Sequence, residues 1–449
     1  MGKPKCVALA SVLFAAVSAA AMDPELIYYW DHLVQPYAAL CEAPDHSFYS
    51  TTAGQASYYD YGSVYRVTTN GTLTTLAFFD ASNGAYPNSL TLANDNNFYG
   101  TTKYGGAYGY GTVFKLSTNG QLTALVSFNY TNGATPFAAL LQGPDGFLYG
   151  STYTGGKTNS LNISTNYAGT VFKVSTNGEL TSLVTFSDTN GWGPKGRLAW
   201  GPDGLLYGTT VYGGIGQGTV FKVTTNGDLT SLISFGGTNG SYPQAGMTFG
   251  PDGNFYGTTQ SGAYNNGYGT VFRITTNGDL TTLVPFQGSG GSSPDADLLL
   301  APDGKLYGTT PNSYVAASGK VFQVTTNGTL TILVSFNGPN GGLPRSGLTL
   351  GSDGNFYGVA SLGGPAGYGT VFRLNTRPQI TGVARRGQDV VLSGTGLPND
   401  PYRVWAATDI ASPLSSWTSI TSNFFSATGN MSYAEPATNS LLFYRLSVP

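Results

Sequence analysis

The sequence predicts an all-β fold: a seven-bladed β-propeller of four-stranded blades closed by an N-terminal strand, followed by a small C-terminal β-sandwich. Three observations predict it. A phrase of the type Leu-Tyr-Gly-Thr-Thr recurs seven times, with its tyrosine at Tyr49, Tyr99, Tyr149, Tyr207, Tyr256, Tyr307 and Tyr357. A second phrase, Gly-Thr-Val-Phe-Lys-Val, recurs as often, with its valine at Val64, Val113, Val171, Val220, Val271, Val321 and Val371. The chain holds 64 Gly and 24 Pro while only 10% of its 449 residues are charged, a turn-rich balance that excludes coiled coils and disordered tails.

The first element is a leader. Lys3 and Lys5 precede an apolar run from Cys6 to Val17, and Ser18-Ala19-Ala20-Ala21 offers small residues for cleavage, so residues 1–21 are expected to be a signal peptide. The run is too short for a transmembrane anchor, which needs roughly 20 apolar residues. The mature chain is thus expected to be exported, to the periplasm, the cell surface or the medium. It keeps one cysteine, Cys41, which is expected to be a small buried filler in a protein without a disulfide.

Residues 22–376 form the repeat region. In the unit from Pro194 to Phe235, Arg197–Trp200 reads as a first strand and Leu205–Thr210 as a second. Thr219–Val223 reads as a third, and Asp228–Phe235 as a fourth with Leu229, Ser231, Ile233 and Phe235 alternating against Thr230, Leu232 and Ser234. Asp203-Gly204 and Asn226-Gly227 supply the positive φ angles of tight turns between them. Such a sheet cannot bury both faces alone, and radial packing of seven copies solves the problem. The fourth strand follows the third six times, but after Leu374 it is missing. Leu26-Ile27-Tyr28-Tyr29-Trp30 is the spare copy, expected to pair with Thr370–Leu374 and close the ring.

Residues 377–449 differ in texture. Segments at Asp389–Ser393, Tyr402–Ala407, Trp417–Ile420 and Leu442–Val448 read as a small antiparallel sandwich like an immunoglobulin or fibronectin type III module.

The recurring phrases Leu-Tyr-Gly-Thr-Thr, Gly-Gly, Gly-Tyr-Gly-Thr-Val-Phe, Thr-Asn-Gly and Leu-Val-Ser-Phe resemble the GloVer tandem repeat of exported proteins from Gloeobacter and Verrucomicrobia. The resemblance covers residue 25 to about residue 376. It implies an exported repeat protein of no established activity, often with a variable C-terminal anchoring segment. The glycine pair after the second strand also looks like the Kelch pattern, but the fourth strand lacks the Kelch tryptophan, so Kelch partners do not carry over.

The titratable residues exclude several chemistries. A net charge of −3 leaves no basic face for nucleic acid. His32 and His46 stand in no zinc-binding spacing, and both fall before any nucleophile elbow, so they read as surface or core residues. Asp145, Asp203, Asp252, Asp303 and Asp353, with Asp45 and Asp95 nearly in register, could ring a calcium ion, but each stands in a turn where aspartate bonds the backbone. No metal, cofactor or catalytic residue is expected.

A ligand site needs asymmetry, and the repeats differ in two loops that share one face of a propeller, the loop between second and third strands and the one leading to the next blade. That face carries Tyr58, Tyr59, Tyr104, Tyr108, Tyr110, Tyr167, Trp192, Tyr212, Tyr242, Tyr264, Tyr268 and Tyr368, with Lys195, Arg197 and Arg345 among few cations and an insertion at Lys157–Tyr167. The candidate ligand-binding residues are Tyr58, Tyr59, Tyr108, Tyr110, Trp192, Lys195, Tyr212, Tyr242, Tyr264 and Arg345. Tyrosine and tryptophan present flat apolar faces with polar edges, suited to sugars or proteins, or they simply pack the loops together. The leading expectation is an exported, monomeric, noncatalytic binding protein that recognises a polysaccharide or a surface protein. A carbohydrate-active propeller enzyme, a polysaccharide lyase or a glycoside hydrolase, is the alternative, with Asp60 and Asp188 as the main acids on that face. A structural surface-layer component is the third.

Overall fold

The computed structural model describes residues 24–54, 60–156, 168–187, 189–263, 267–311, 318–376, 378–398, 400–408, 414–426, 429–436 and 442–447. The expected signal peptide, the insertion at 157–167 and Asp188 lie outside these residues. Among the described residues there is no α-helix, and no helix is long and apolar enough to cross a membrane.

The repeats form antiparallel sheets in which sequence order is spatial order. The first joins Cys41–Glu42, Phe48–Ala53, Gly62–Val67 and Leu73–Phe78. The fourth joins Ala199–Trp200, Leu206–Thr210, Thr219–Val223 and Leu229–Ser234. The third, fifth and sixth sheets follow the same plan, and the second adds Ala85–Pro87 as a further short strand. The last joins Thr349–Leu350, Phe356–Ala360 and Thr370–Leu374, and its outer strand is Glu25–Tyr29 from the start of the chain.

Two details differ from the expected strands. The innermost strand has two residues in the fourth sheet rather than four, because the chain before it packs on the next repeat, where a Cβ on Gly196 would meet the Ala245 carbonyl carbon at 2.3 Å. The outer strand does not alternate strictly. Val220 pairs with Ile233 and Phe221 with Ser231, so Leu232 is an extra residue in a β-bulge. Each of the first six sheets has this bulge, and Glu25–Tyr29 reproduces it: Leu26 pairs with Phe372 and Tyr28 with Val371, leaving Ile27 as the extra residue.

The repeated residues hold sheet to sheet. Gly208 lies where a Cβ would meet the Phe221 ring at 2.5 Å, so only glycine lets that phenylalanine cross the strand. Tyr207 is fully buried and stacks on Phe255 of the next sheet with ring centroids 4.3 Å apart. Tyr49 meets Phe98 at 4.4 Å and Tyr307 meets Phe356 at 4.4 Å in the same way. The series continues from the last sheet to the first, where Tyr357 meets Phe48 at 4.2 Å. The innermost strands are tied likewise: Thr91 Oγ1 donates to the Leu140 carbonyl at 2.5 Å, and Thr349 Oγ1 donates to that of Leu40 at 2.7 Å. These contacts make an all-β, propeller-like arrangement.

The C-terminal residues form two three-stranded sheets. Gln379–Arg386, Asp389–Thr395 and Asn430–Pro436 make one, and Pro401–Ala407, Thr418–Phe424 and Phe443–Ser447 the other. Their shared core contains Leu392, Tyr402, Val404, Phe425, Met431 and Leu446. Leu397 packs into the core of the last repeats, and Lys305 pairs with Asp400.

Candidate ligand-binding site

Each repeat enters its innermost strand through a proline, at Pro36, Pro87, Pro136, Pro194, Pro243, Pro294 and Pro344. From the second repeat on, the residue before it has a left-handed backbone: Tyr86 at φ 56°, Thr135 at 54°, Gly193 at 67°, Tyr242 at 56°, Ser293 at 56° and Leu343 at 49°. A residue before proline favours the extended region, and at the five positions that are not glycine such strain costs about 1–3 kcal/mol. It persists because the amide is anchored, as Tyr242 is by donating to the Gln217 carbonyl at 2.9 Å and Leu343 by donating to that of Ser318 at 2.8 Å.

This kink presents the residue after the proline, and there the repeats diverge completely: Tyr37, Asn88, Phe137, Lys195, Gln244, Asp295 and Arg345. These side chains meet across sheet boundaries. Lys195 donates to Gln244, and Gln244 donates to Gln260. Arg345 donates to Asp295 Oδ2 at 3.3 Å. The ammonium groups of Lys103 and Lys195 lie over the Phe137 ring, 4.7 and 5.7 Å from its centroid. Fields also act between sheets that are not neighbours: Lys195 of the fourth repeat acts on Asp295 of the sixth, and Arg197 of the fourth on Cys41 of the first. Direct contacts between successive repeats, with the hydrogen bonds that tie innermost strand to innermost strand, bring the inner ends of the sheets together.

Electrostatics at this convergence are strained. Burial, with Lys195 as a neighbour, pulls Lys103 down to about 8. Burial also lowers Lys195, with Asp295 opposing and Arg345 adding to the shift. Burial raises Asp295 to about 6 against the pull of Lys195 and Arg345. Its Oδ1 is buried without a hydrogen-bond partner among the described residues, while the side chain as a whole is 9% exposed. Asp297 is raised by burial too, but its Oδ1 accepts the Gly246 amide at 2.6 Å.

Of the residues expected to bind ligand, Lys195 and Arg345 belong to this convergence. Trp192, expected in an exposed loop, is instead half-buried: it stacks on Tyr212 at 4.1 Å, and its amide donates to the Tyr212 carbonyl at 2.9 Å. Tyr212 in turn meets Tyr242 edge-on at 5.5 Å, next to Pro243 and Gln244. Tyr108 and Tyr110 are exposed at the rim, Tyr110 against Tyr130. Tyr268 and Tyr368 are half-buried against core clusters. Tyr58, Tyr59, Tyr167 and Tyr264 lie outside the described residues.

A hollow of about 1040 Å³ opens beside Gln217, Ser241 and Tyr268, but among the described residues no charged side chain lines it. Asp60 is taken up by its own loop, where it accepts the Gly62 amide at 3.0 Å. The acids overlooked in the sequence are Asp295 and Asp297, and with them Lys103, Phe137 and Gln244. The available signal was the position after each proline, which differs in every repeat.

Other titratable residues singled out in the sequence have partners within the chain. The carboxylates of the turn aspartates are already occupied: Asp203 Oδ1 accepts the Leu205 amide and Oδ2 the Tyr207 hydroxyl, at 3.2 and 2.7 Å. His46 and Ser352 lie 2.8 Å apart, but Ser352 donates to Glu42 at 2.6 Å rather than being activated through the histidine. His32 is exposed beside Asp31. Cys41 is partly buried, and burial raises its thiol above the ordinary value.

A model of the Gloeobacter/Verrucomicrobia repeat matches residues 30–163, 160–299 and 216–386. No curated protein matches the sequence. Among solved structures, the chain is similar to the extracellular domain assigned to a hybrid two-component system of B. thetaiotaomicron. Identity is 11%, the match covers 92% of this chain and 53% of that one, and the TM-score is 0.50. It thus spans about half the length of that protein. A Bacteroides fragilis protein assigned as a 6-phosphogluconolactonase shares 17% identity over 88% of this chain and 99% of its own, with a TM-score of 0.48. Regucalcin, a calcium-binding protein of Agrobacterium tumefaciens, shares 14% over 65% of this chain and 88% of its own, with a TM-score of 0.40. At such identities the likeness concerns the fold alone.

Proposed function

The chain belongs to the Gloeobacter/Verrucomicrobia repeat family, and from that premise we propose that it is an exported, noncatalytic binding protein. In this reading residues 22–376 are a seven-bladed propeller closed by the N-terminal strand, residues 377–449 are a small sandwich, and residues 1–21 are a removed signal peptide. The ligand is a polysaccharide or a surface protein, taken at the convergence of the sheets on the face of the variable loops. One observation carries the proposal: a repeated frame, whose backbone turns left-handed before the proline from the second repeat on, presents a different side chain after that proline in each repeat. Packing alone would favour repetition there too.

The enzymatic alternative finds less support. A glycoside hydrolase needs two carboxylates free to flank one bond. Asp295 has a free oxygen, but Asp297 is engaged with the Gly246 amide. The deciding experiment is a glycan and surface-protein binding screen of residues 22–449, with product analysis of the same incubations. Binding without turnover supports the proposal. Released oligosaccharides would establish the enzyme, and binding that survives replacement of both Lys195 and Arg345 by methionine would remove the site.

A further inference from the structure

The side chains at the convergence specify more than the presence of a ligand. Two ammonium groups, those of Lys103 and Lys195, share one ring, Phe137. Neither has a carboxylate within ion-pair distance among the described residues, and the hydrogen-bonding partner of Lys195 is the neutral amide of Gln244. Burying like charges together is costly: the field of Asp295 offsets part of that cost for Lys195, while Lys103 is lowered first by its burial and then by Lys195. An anion placed between them would relieve it.

Asp295 makes the opposite demand. Its Oδ2 accepts from Arg345, while its Oδ1 is buried without a donor among the described residues. A buried acceptor left open calls for a donor from outside the chain. The half-buried faces of Phe137 and Tyr153, edge to face at 5.2 Å, supply an apolar wall beside the two lysines. The site therefore asks one ligand for an anionic group, a hydroxyl and a ring with an apolar face. A neutral sugar lacks the charge. An acidic side chain of a protein partner lacks the hydroxyl and the ring.

We propose that the site recognises a uronate residue of an acidic polysaccharide, its carboxylate held by Lys103 and Lys195 and a ring hydroxyl donating to Asp295 Oδ1. This rests on the reading of the protein as a binding protein with its site at the convergence of the sheets.

The test is calorimetric titration of residues 22–449 with oligosaccharides of galacturonate, glucuronate and alginate, each beside a neutral counterpart where one exists. The expected result is at least tenfold tighter binding of one uronate series over its neutral counterpart, or over the neutral oligosaccharides as a set. Lys103→Met and Lys195→Met should each weaken it by about tenfold without lowering the melting temperature, and Asp295→Asn should weaken it severalfold. Acetate or inorganic phosphate should compete only weakly. Equal binding of acidic and neutral sugars would overturn the uronate assignment while leaving a binding protein. Uronate binding indifferent to both lysine substitutions would overturn the placement. Strong competition by acetate would show that charge alone is read and would overturn the hydroxyl contact. If no uronate binds, the proposal fails. The broader binding reading then falls only if neutral glycans and surface proteins also fail to bind.

Discussion

The hydroxyl of Tyr207 donates to the carboxylate of Asp203, four residues earlier, at 2.7 Å, and thereby ties the turn between the two inner strands to the core. The same pair occurs in the other repeats, from Tyr49 on Asp45 at 3.2 Å to Tyr149 on Asp145 at 2.6 Å. With the Leu205 amide on the other oxygen, the carboxylate has its partners within the turn. A metal would have to displace them.

Tyr207→Phe should keep the ring stacked on Phe255 and lose only the hydrogen bond, lowering stability by roughly 1–2 kcal/mol. Tyr207→Ala should cost roughly 3–5 kcal/mol, the usual loss for a buried aromatic. Chemical denaturation of both variants checks the ranking. A chelator should leave the parent's melting temperature where it was, and a drop of several degrees reversed by calcium would mean that the turn carboxylates hold a metal.

Acid should unfold the protein through these same turns. Burial works against the ionised form of Asp95, but hydrogen bonds from Tyr99, Asn97 and Lys115 overcome it and hold the carboxyl at about 2. Asp45, Asp252 and Asp353 are lowered in the same sense. A carboxyl with a depressed folded-state pKa binds fewer protons folded than unfolded, so its stabilisation is present above about pH 4 and is lost as pH falls toward 2. Melting temperature measured from pH 5 to pH 2 should fall steeply in the lower half of that range. A flat profile would show that the turn bonds contribute nothing.

Much of the architecture was legible because repetition exposes it: each tyrosine of Leu-Tyr-Gly-Thr-Thr is buried against its neighbour, and the spare segment at Leu26 pairs where the missing strand should lie. The bulge at Leu232 was not legible, since an apolar residue at a polar-facing position looks like ordinary variation. Nor was the burial of Trp192, because a glycine-flanked aromatic reads as a loop tip until Tyr212 is known to lie against it. Lys195 and Arg345 stood out as rare cations. Asp295 and Phe137 did not, because only their place after a proline, one repeat against the next, marks them as neighbours.

Asp295 should make the protein less stable as pH rises through its own titration. Its folded pKa of about 6 lies above the ordinary carboxyl value of 3.8, so the folded state binds the extra proton. The resulting stabilisation is complete below about pH 4 and lost above about pH 6, a difference on the order of 2–3 kcal/mol. Lys195 and Arg345 face this carboxyl and are the charges that moderate the shift. Asp295→Asn should therefore be more stable than the parent at pH 7 and no better at pH 4. An unchanged difference between the two pH values would mean that Asp295 stays ionised throughout.

The last expectation concerns closure of the ring. Glu25–Tyr29 covers the edge of Thr370–Leu374, and Trp30 behind it is 3% exposed, edge to face with Tyr65 of the first sheet at 5.5 Å. The ion pair between Glu25 and Arg373, 2.7 Å apart, is on the surface, with Glu25 45% exposed. Such pairs are worth roughly 0.2–1 kcal/mol, so Arg373→Ala should melt close to the parent. Deleting residues 22–31 is a different injury. It removes the strand, its bulge and the Trp30 anchor together, leaves the backbone groups of Thr370–Leu374 without partners and opens an apolar edge to other chains. The truncated protein should aggregate or melt far below the parent, as light scattering and a thermal scan would register. A truncation that stays monomeric and melts like the parent would mean that the N-terminal strand merely decorates a ring closed by other contacts, those of Tyr357 with Phe48 and of Thr349 with Leu40.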